Sequence, residues 1–138
     1  MKLSFSTRGW PGLSFEDMLG TATDMGFSGV EIYNLQSFNA LTDKGGPFHK
    51  YNTAATARDL RERRLSVPCF DTSCDISLGK ESVDTVKGLM EIARNAQVPY
   101  VVVCALTDNE EAVCSVLEEL LPTAEALNVS ILVKTSGI

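Results

Sequence analysis

The sequence predicts an α/β fold of parallel βα repeats, with about five strands and four helices in a single domain over residues 1–138. Three observations carry that expectation. Leu3 to Asn34 reads as a strand, a turn, an amphipathic helix and a second strand. Tyr100-Val101-Val102-Val103-Cys104-Ala105 is a continuous apolar run, the pattern of a central parallel strand covered on both faces. Strands are expected to begin near residues 3, 29, 66, 99 and 130. That spacing, roughly 26 to 37 residues, suits strand-plus-helix units joined by right-handed crossovers.

Each element has a local reason. Leu3 and Phe5 alternate with Ser4 and Ser6, the period of a strand. Gly9, Pro11 and Gly12 then interrupt the chain, and Ser14 with Asp17 three residues later forms a short-armed capping box. Phe15, Met18, Leu19, Ala22 and Met25 share one helical face, and Gly26 stands where a left-handed cap is wanted. Val30 and Ile32 open the second strand, and Leu35 to Lys50 follows as a long irregular loop. Loops of that length are usually functional or disordered.

Asn52 or Thr53 can cap a helix over Ala54–Arg64, with Ala57, Leu60 and the stem of Arg61 turned inward. Leu65 to Phe70 is the expected third strand, running out into the polar cluster Asp71-Thr72-Ser73-Cys74-Asp75, with Pro68 better suited to its beginning. A helix over Lys80–Ala96 presents Val83, Val86, Leu89, Met90 and Ala93. Thr107 or Asp108 caps the next helix, with Val113, Val116, Leu117, Leu120 and Leu121 as its inner stripe. Pro122 is expected to kink or end that helix, and Ser130 to Gly137 forms the fifth strand.

The chain has 138 residues, enough to bury a substantial core, and its mean hydropathy of +0.04 is that of a globular protein. A net charge of −6 argues against nucleic-acid binding, which needs clustered Lys and Arg. The run Arg58-Asp59-Leu60-Arg61-Glu62-Arg63-Arg64 interleaves acids with bases and reads as a solvated helix face. No apolar stretch approaches the roughly 18 residues of a membrane span, and the N-terminus lacks a signal-peptide core, so the expected location is cytoplasmic. The four cysteines, Cys69, Cys74, Cys104 and Cys114, form no Cys-x-x-Cys pair and read as free thiols of a reducing compartment.

The segment opening near Leu13-Ser14-Phe15-Glu16-Asp17 and closing on Met25-Gly26-Phe27-Ser28-Gly29-Val30-Glu31-Ile32 resembles the start of the xylose isomerase-like TIM barrels. That superfamily includes sugar phosphate isomerases/epimerases and the family 2 AP endonucleases. The resemblance covers the whole chain but only the first half of the fold, because a complete (β/α)8 barrel needs about 250 residues. It implies a site at the C-terminal ends of the strands, where a divalent metal (Mn, Mg or Zn) polarises sugar oxygens while an acid or base moves a proton. Acids and histidines hold that metal in the family, including a Glu on strand five. Here Lys134 occupies the matching segment, and a lysine repels a divalent cation. No metal site and no cofactor are therefore expected from this chain alone.

What remains is a polar rim at the expected mouth, where Glu31 and Lys134 are the catalytic candidates. Arg8, Trp10, Tyr33, His49, Asp71 and Ser136 are the substrate-binding candidates. Trp10 would stack on a sugar ring, Arg8 would hold a phosphate or carboxylate, and Glu31 or Asp71 would act as base. Competing structural readings stand beside these. Glu31 is a polar strand-end residue, His49 a solvent-exposed loop residue, and Lys134 one half of an ion pair with Glu31 or Asp71. The functional expectation is a truncated sugar phosphate isomerase/epimerase, inactive on its own. Its alternative is a non-catalytic domain for small-ligand binding or self-association. Expected partners are a sugar-like small molecule and a second copy covering the open sheet edges, with neither nucleic acid nor membrane.

Overall fold

The computed structural model describes residues 1–37 and 41–135. Five parallel strands form one sheet in the order β1-β2-β3-β4-β5, with four helices between them. Two units divide the chain, Met1–Asp71 and Thr72–Ile138, and β3 (Cys69–Asp75) passes from one into the other.

The first unit contains β1 (Ser4–Ser6), α1 (Phe15–Asp24), β2 (Gly29–Tyr33) and α2 (Thr53–Glu62). Ser14 Oγ accepts the Asp17 amide at 3.1 Å, so the cap that opens α1 forms as the sequence predicts. At the other end Gly26 has φ +79°, and the Phe27 amide donates back to the Ala22 carbonyl, the bond of a Schellman closure. Met18, Leu19 and Ala22 of α1 are fully buried, as are Val30, Ile32 and Phe70 of the strands. Register places Phe5 beside Val30 and Ile32 beside Phe70 on one face of the sheet. Ser6, Glu31, Tyr33 and Asp71 therefore share the opposite face.

The described part of the loop after β2 is anchored to the core. Leu35, Leu41 and Phe48 are buried, and Phe48 sets its ring edge-on between Phe15 and Phe70 at centroid distances of 5.4 and 5.1 Å. Asn52, an expected cap, instead donates its side-chain amide to the carbonyls of Gly46 at 2.8 Å and Lys44 at 3.1 Å, bracing the loop. In α2, Ala57 and Leu60 are half-buried and Arg61 is exposed, so the expected inward stem of Arg61 is corrected. Arg63 lies down in its place, bonded to Asp59 Oδ1 at 2.9 Å and facing Glu16 at 3.8 Å.

β3 begins at Cys69, later than the expected strand over Leu65–Phe70. Pro68 supplies no amide for a ladder, and ahead of it only Ser66 bridges to Gly29. The cluster Asp71 to Asp75 consequently lies within the strand.

The second unit continues with α3 (Lys80–Ala96), β4 (Tyr100–Ala105), α4 (Glu110–Leu127) and β5 (Ser130–Thr135). All five apolar residues predicted for α3 are buried, against Val101 and Val103 of the same unit. Thr72, fully buried on β3, donates its hydroxyl to the Val102 carbonyl at 2.8 Å. Asn109, rather than Thr107 or Asp108, caps α4 by accepting the Ala112 amide at 3.2 Å. Pro122 neither ends α4 nor splits it. Both Pro122 and Glu118, whose carbonyl loses its helical donor, are exposed, so that carbonyl is not buried without a partner. Because the helix continues, Ala124 joins Leu120 in the core, whereas Leu121 is 48% exposed and leaves the expected stripe.

Candidate functional site

In a βα sheet, ligand chemistry collects at the C-terminal ends of the strands. In the first unit these ends are joined by the buried Thr7, whose hydroxyl accepts the Tyr33 amide at 2.9 Å. Thr7 belongs to a short 3₁₀ turn, Thr7–Gly9, that Ser6 caps by accepting the Arg8 amide. The turn carries Arg8 over the Tyr33 ring, 5.1 Å from its centroid. Two of the expected binding residues thus meet, a cation on an aromatic face.

Glu31 lies one step back along β2 on the same face. Its Oε2 accepts the thiol of Cys69 from the neighbouring strand at 3.3 Å. Burial pushes the Cys69 thiol up from its ordinary value of 9.0 to about 12, and the charges of Glu31 and Asp71 add to the shift. A thiol there stays protonated and donates. Asp71, 5% exposed, stands beside Tyr33 in register, and its carbonyl accepts the Asn34 amide. Arg8, Tyr33, Glu31, Cys69 and Asp71 therefore make one polar group in the first unit.

The other expected residues sit elsewhere. Trp10 follows the turn and packs on Phe5 at a centroid distance of 5.3 Å, so one side of the indole serves the protein. His49 accepts the Tyr51 amide on Nδ1 and meets the Tyr51 ring at a tilt of 51° with centroids 5.0 Å apart, contacts within its own loop. Phe48, beside it, is a core residue. Ser136 lies outside the described residues.

Lys134 is exposed near the end of β5, in register with Cys104 on the face that also carries Val102 and Leu132. A cavity of about 310 Å³ opens on the other face, lined by Ala105, Thr107, Glu110, Cys114 and Thr135. Strand alternation keeps Lys134 out of it. Asp75, also in this unit, accepts the Ser77 hydroxyl at 2.6 Å and the Ser77 amide at 2.9 Å. The Ser77 hydroxyl, followed by the Ser77 and Leu106 amides, holds its carboxyl below the usual range.

Sequence reasoning missed Cys69 as a partner of Glu31. Their pairing depends on β2–β3 register across 38 residues, which no local pattern reveals.

The divalent metal implied by the resemblance needs a convergent donor set. Among the described residues no three His, Cys, Asp or Glu side chains gather in a way that could hold one. These residues do not fit a metal on their own.

No family model and no curated protein matches the chain. Solved structures do. A xylose isomerase domain containing protein from Salmonella typhimurium LT2 aligns at TM-score 0.76 and 18% identity, over 94% of this chain and 47% of that one. The probable 3-DHS dehydratase AsbF from Bacillus anthracis aligns at 0.70 and 17%, over 96% and 52%. A D-tagatose 3-epimerase-like protein aligns at 0.69 and 16%, again over 96% and 52%. The chain spans about half the length of these structures, and its fold is that of the first half of a xylose isomerase-like TIM barrel.

Proposed function

We propose that the chain forms the substrate-holding half of a sugar isomerase/epimerase-type site, with Glu31 as the proton acceptor. The supporting observation is the Glu31 carboxylate held by Cys69 on the strand face that also bears Tyr33 and Asp71, with Arg8 over Tyr33. A carboxylate at a strand end can remove a proton from a carbon beside a carbonyl, the step that begins both epimerisation and many dehydrations. Arg8, exposed above an aromatic ring, suits an anionic group on a hydroxylated substrate. Trp10 offers its outer face to a sugar ring. Lys134 and Asp71 remain candidates. Other chemistry, including any metal, would come from groups beyond the described residues, and proton exchange by Glu31 is the step expected of this chain.

A second reading is a binding or self-association domain without catalysis. It is favoured by the absence of a convergent metal donor set among the described residues and by Leu132, 45% exposed on β5.

Solvent-deuterium exchange tests the first reading. The chain is incubated in D₂O with ketoses, aldoses and their phosphates, with and without Mn²⁺, and carbon-bound deuterium is read by mass spectrometry. Exchange that Glu31→Gln abolishes supports an isomerase/epimerase-type site. Saturable sugar binding without exchange favours the binding reading, and no binding in any condition overturns both ligand-based readings and leaves self-association, which the mass in solution tests.

A further inference from the structure

The Cys69–Glu31 pair goes further than a structural contact. We propose that Cys69 is a positioning residue for Glu31: across the β2–β3 pair its thiol fixes one carboxylate oxygen and leaves the other to meet a ligand. This inference rests on the reading of Glu31 as a proton acceptor.

The geometry comes from two strands rather than from one flexible side chain. Glu31 leaves β2 and Cys69 leaves β3 on the same face, one residue before the register partners Ile32 and Phe70. Sγ lies 3.3 Å from Oε2, a usual distance for a sulfur donor. A free glutamate has three side-chain torsions to arrest, and a donor anchored in the next strand removes much of that freedom before substrate arrives.

Sulfur suits the task because it donates weakly. A lysine or arginine there would hold the carboxylate more firmly but would also lower its basicity. The charged groups around the thiol are Glu31 from β2 and Asp71 from β3, both acidic, and they oppose its ionisation. The donor therefore keeps its proton across the range in which a carboxylate base works. For the same reason Cys69 is a poor nucleophile, in contrast to the exposed Cys114.

Peptide-resolved alkylation of the full chain with iodoacetamide, as a function of pH, tests the pair without any need for activity. Cys114 serves as the internal reference. In the wild-type chain the part-buried Cys69 should react only at much higher pH than the exposed Cys114, and Glu31→Gln should move its profile down by about 1 pH unit, burial and Asp71 keeping the rest of the shift. A Cys69 profile that tracks Cys114, or one unchanged by Glu31→Gln, overturns the proposal.

Deuterium exchange then separates positioning from mere stability. Cys69→Ala should lower the turnover number about tenfold with little change in KM, and Cys69→Ser, which restores a donor, should recover most of it. Equal loss in both variants, or a loss confined to KM, also overturns the proposal. If the wild-type chain shows no exchange at all, the reading of Glu31 as a base fails, while the alkylation profiles still decide whether the pair exists.

Discussion

At Gly29 the backbone leaves no room for a side chain. A Cβ there would stand 2.5 Å from Ser4 Oγ and 2.9 Å from the Ser66 carbonyl oxygen. The hydroxyl can rotate away, but the carbonyl accepts the Val30 amide and cannot. Gly29→Ala should therefore destabilise the chain by about 1 to 3 kcal/mol in urea unfolding. Gly45→Ala, with open space around its Cβ, is the control and should change little. Cys69 makes a different residue-scale prediction. In the folded chain its thiol is pushed up to about 12 from 9.0, so folding retains a proton that the unfolded chain releases. The stability this provides is complete below about pH 9 and is lost as pH rises toward about 12. Cys69→Ser should flatten that alkaline limb relative to wild type, whatever its effect at neutral pH. Parallel limbs in the two proteins would show that the thiol ionises normally.

Among the elements, α3 and β4 were legible to the residue because their information is local. A five-residue apolar stripe at helical spacing and an unbroken apolar hexapeptide admit few alternatives. β3 was displaced because hydrophobicity pointed to Leu65–Phe70, while hydrogen bonding excluded Pro68 and carried the ladder into Asp71–Asp75. There polarity is tolerated because partners exist, as for the buried Thr72 hydroxyl on the Val102 carbonyl. The candidate site was only half legible for the same reason. Glu31 stands out in its strand, whereas Cys69 gains meaning only from its neighbour.

Two element-scale predictions follow this logic. Phe48 is 2% exposed, wedged between Phe15 and Phe70, and ties the loop after β2 to the core. Phe48→Ala should lose about 3 to 5 kcal/mol by denaturant unfolding. It should also raise proteolytic cleavage between residues 41 and 52. Pro122 sits on the solvent side of a helix that runs on regardless. Pro122→Ala restores an intrahelical donor and should raise stability by about 1 to 3 kcal/mol. A destabilised variant would mean that proline's restriction of the unfolded chain outweighs the missing bond.

For the molecule as a whole, the outer strands of the sheet carry the argument. β1 and β5 are its two ends, and Leu3 next to β1 is 53% exposed. On β5, Leu132 is 45% exposed on the face it shares with Val102 and Lys134. Parallel sheets normally have both faces covered, and an end strand with unpaired amides and carbonyls invites another chain. On the self-association reading a second copy would meet that need, because a two-fold contact lets each edge be covered once. On that reading, light scattering on a gel-filtration column should give the mass of two 15.0 kDa chains. Leu132→Lys, which places a second cation on the strand beside Lys134, should shift it to one. A wild-type chain that elutes as a well-behaved monomer at high concentration would overturn self-association and leave the ligand-binding reading to stand on Arg8, Tyr33 and Glu31 alone.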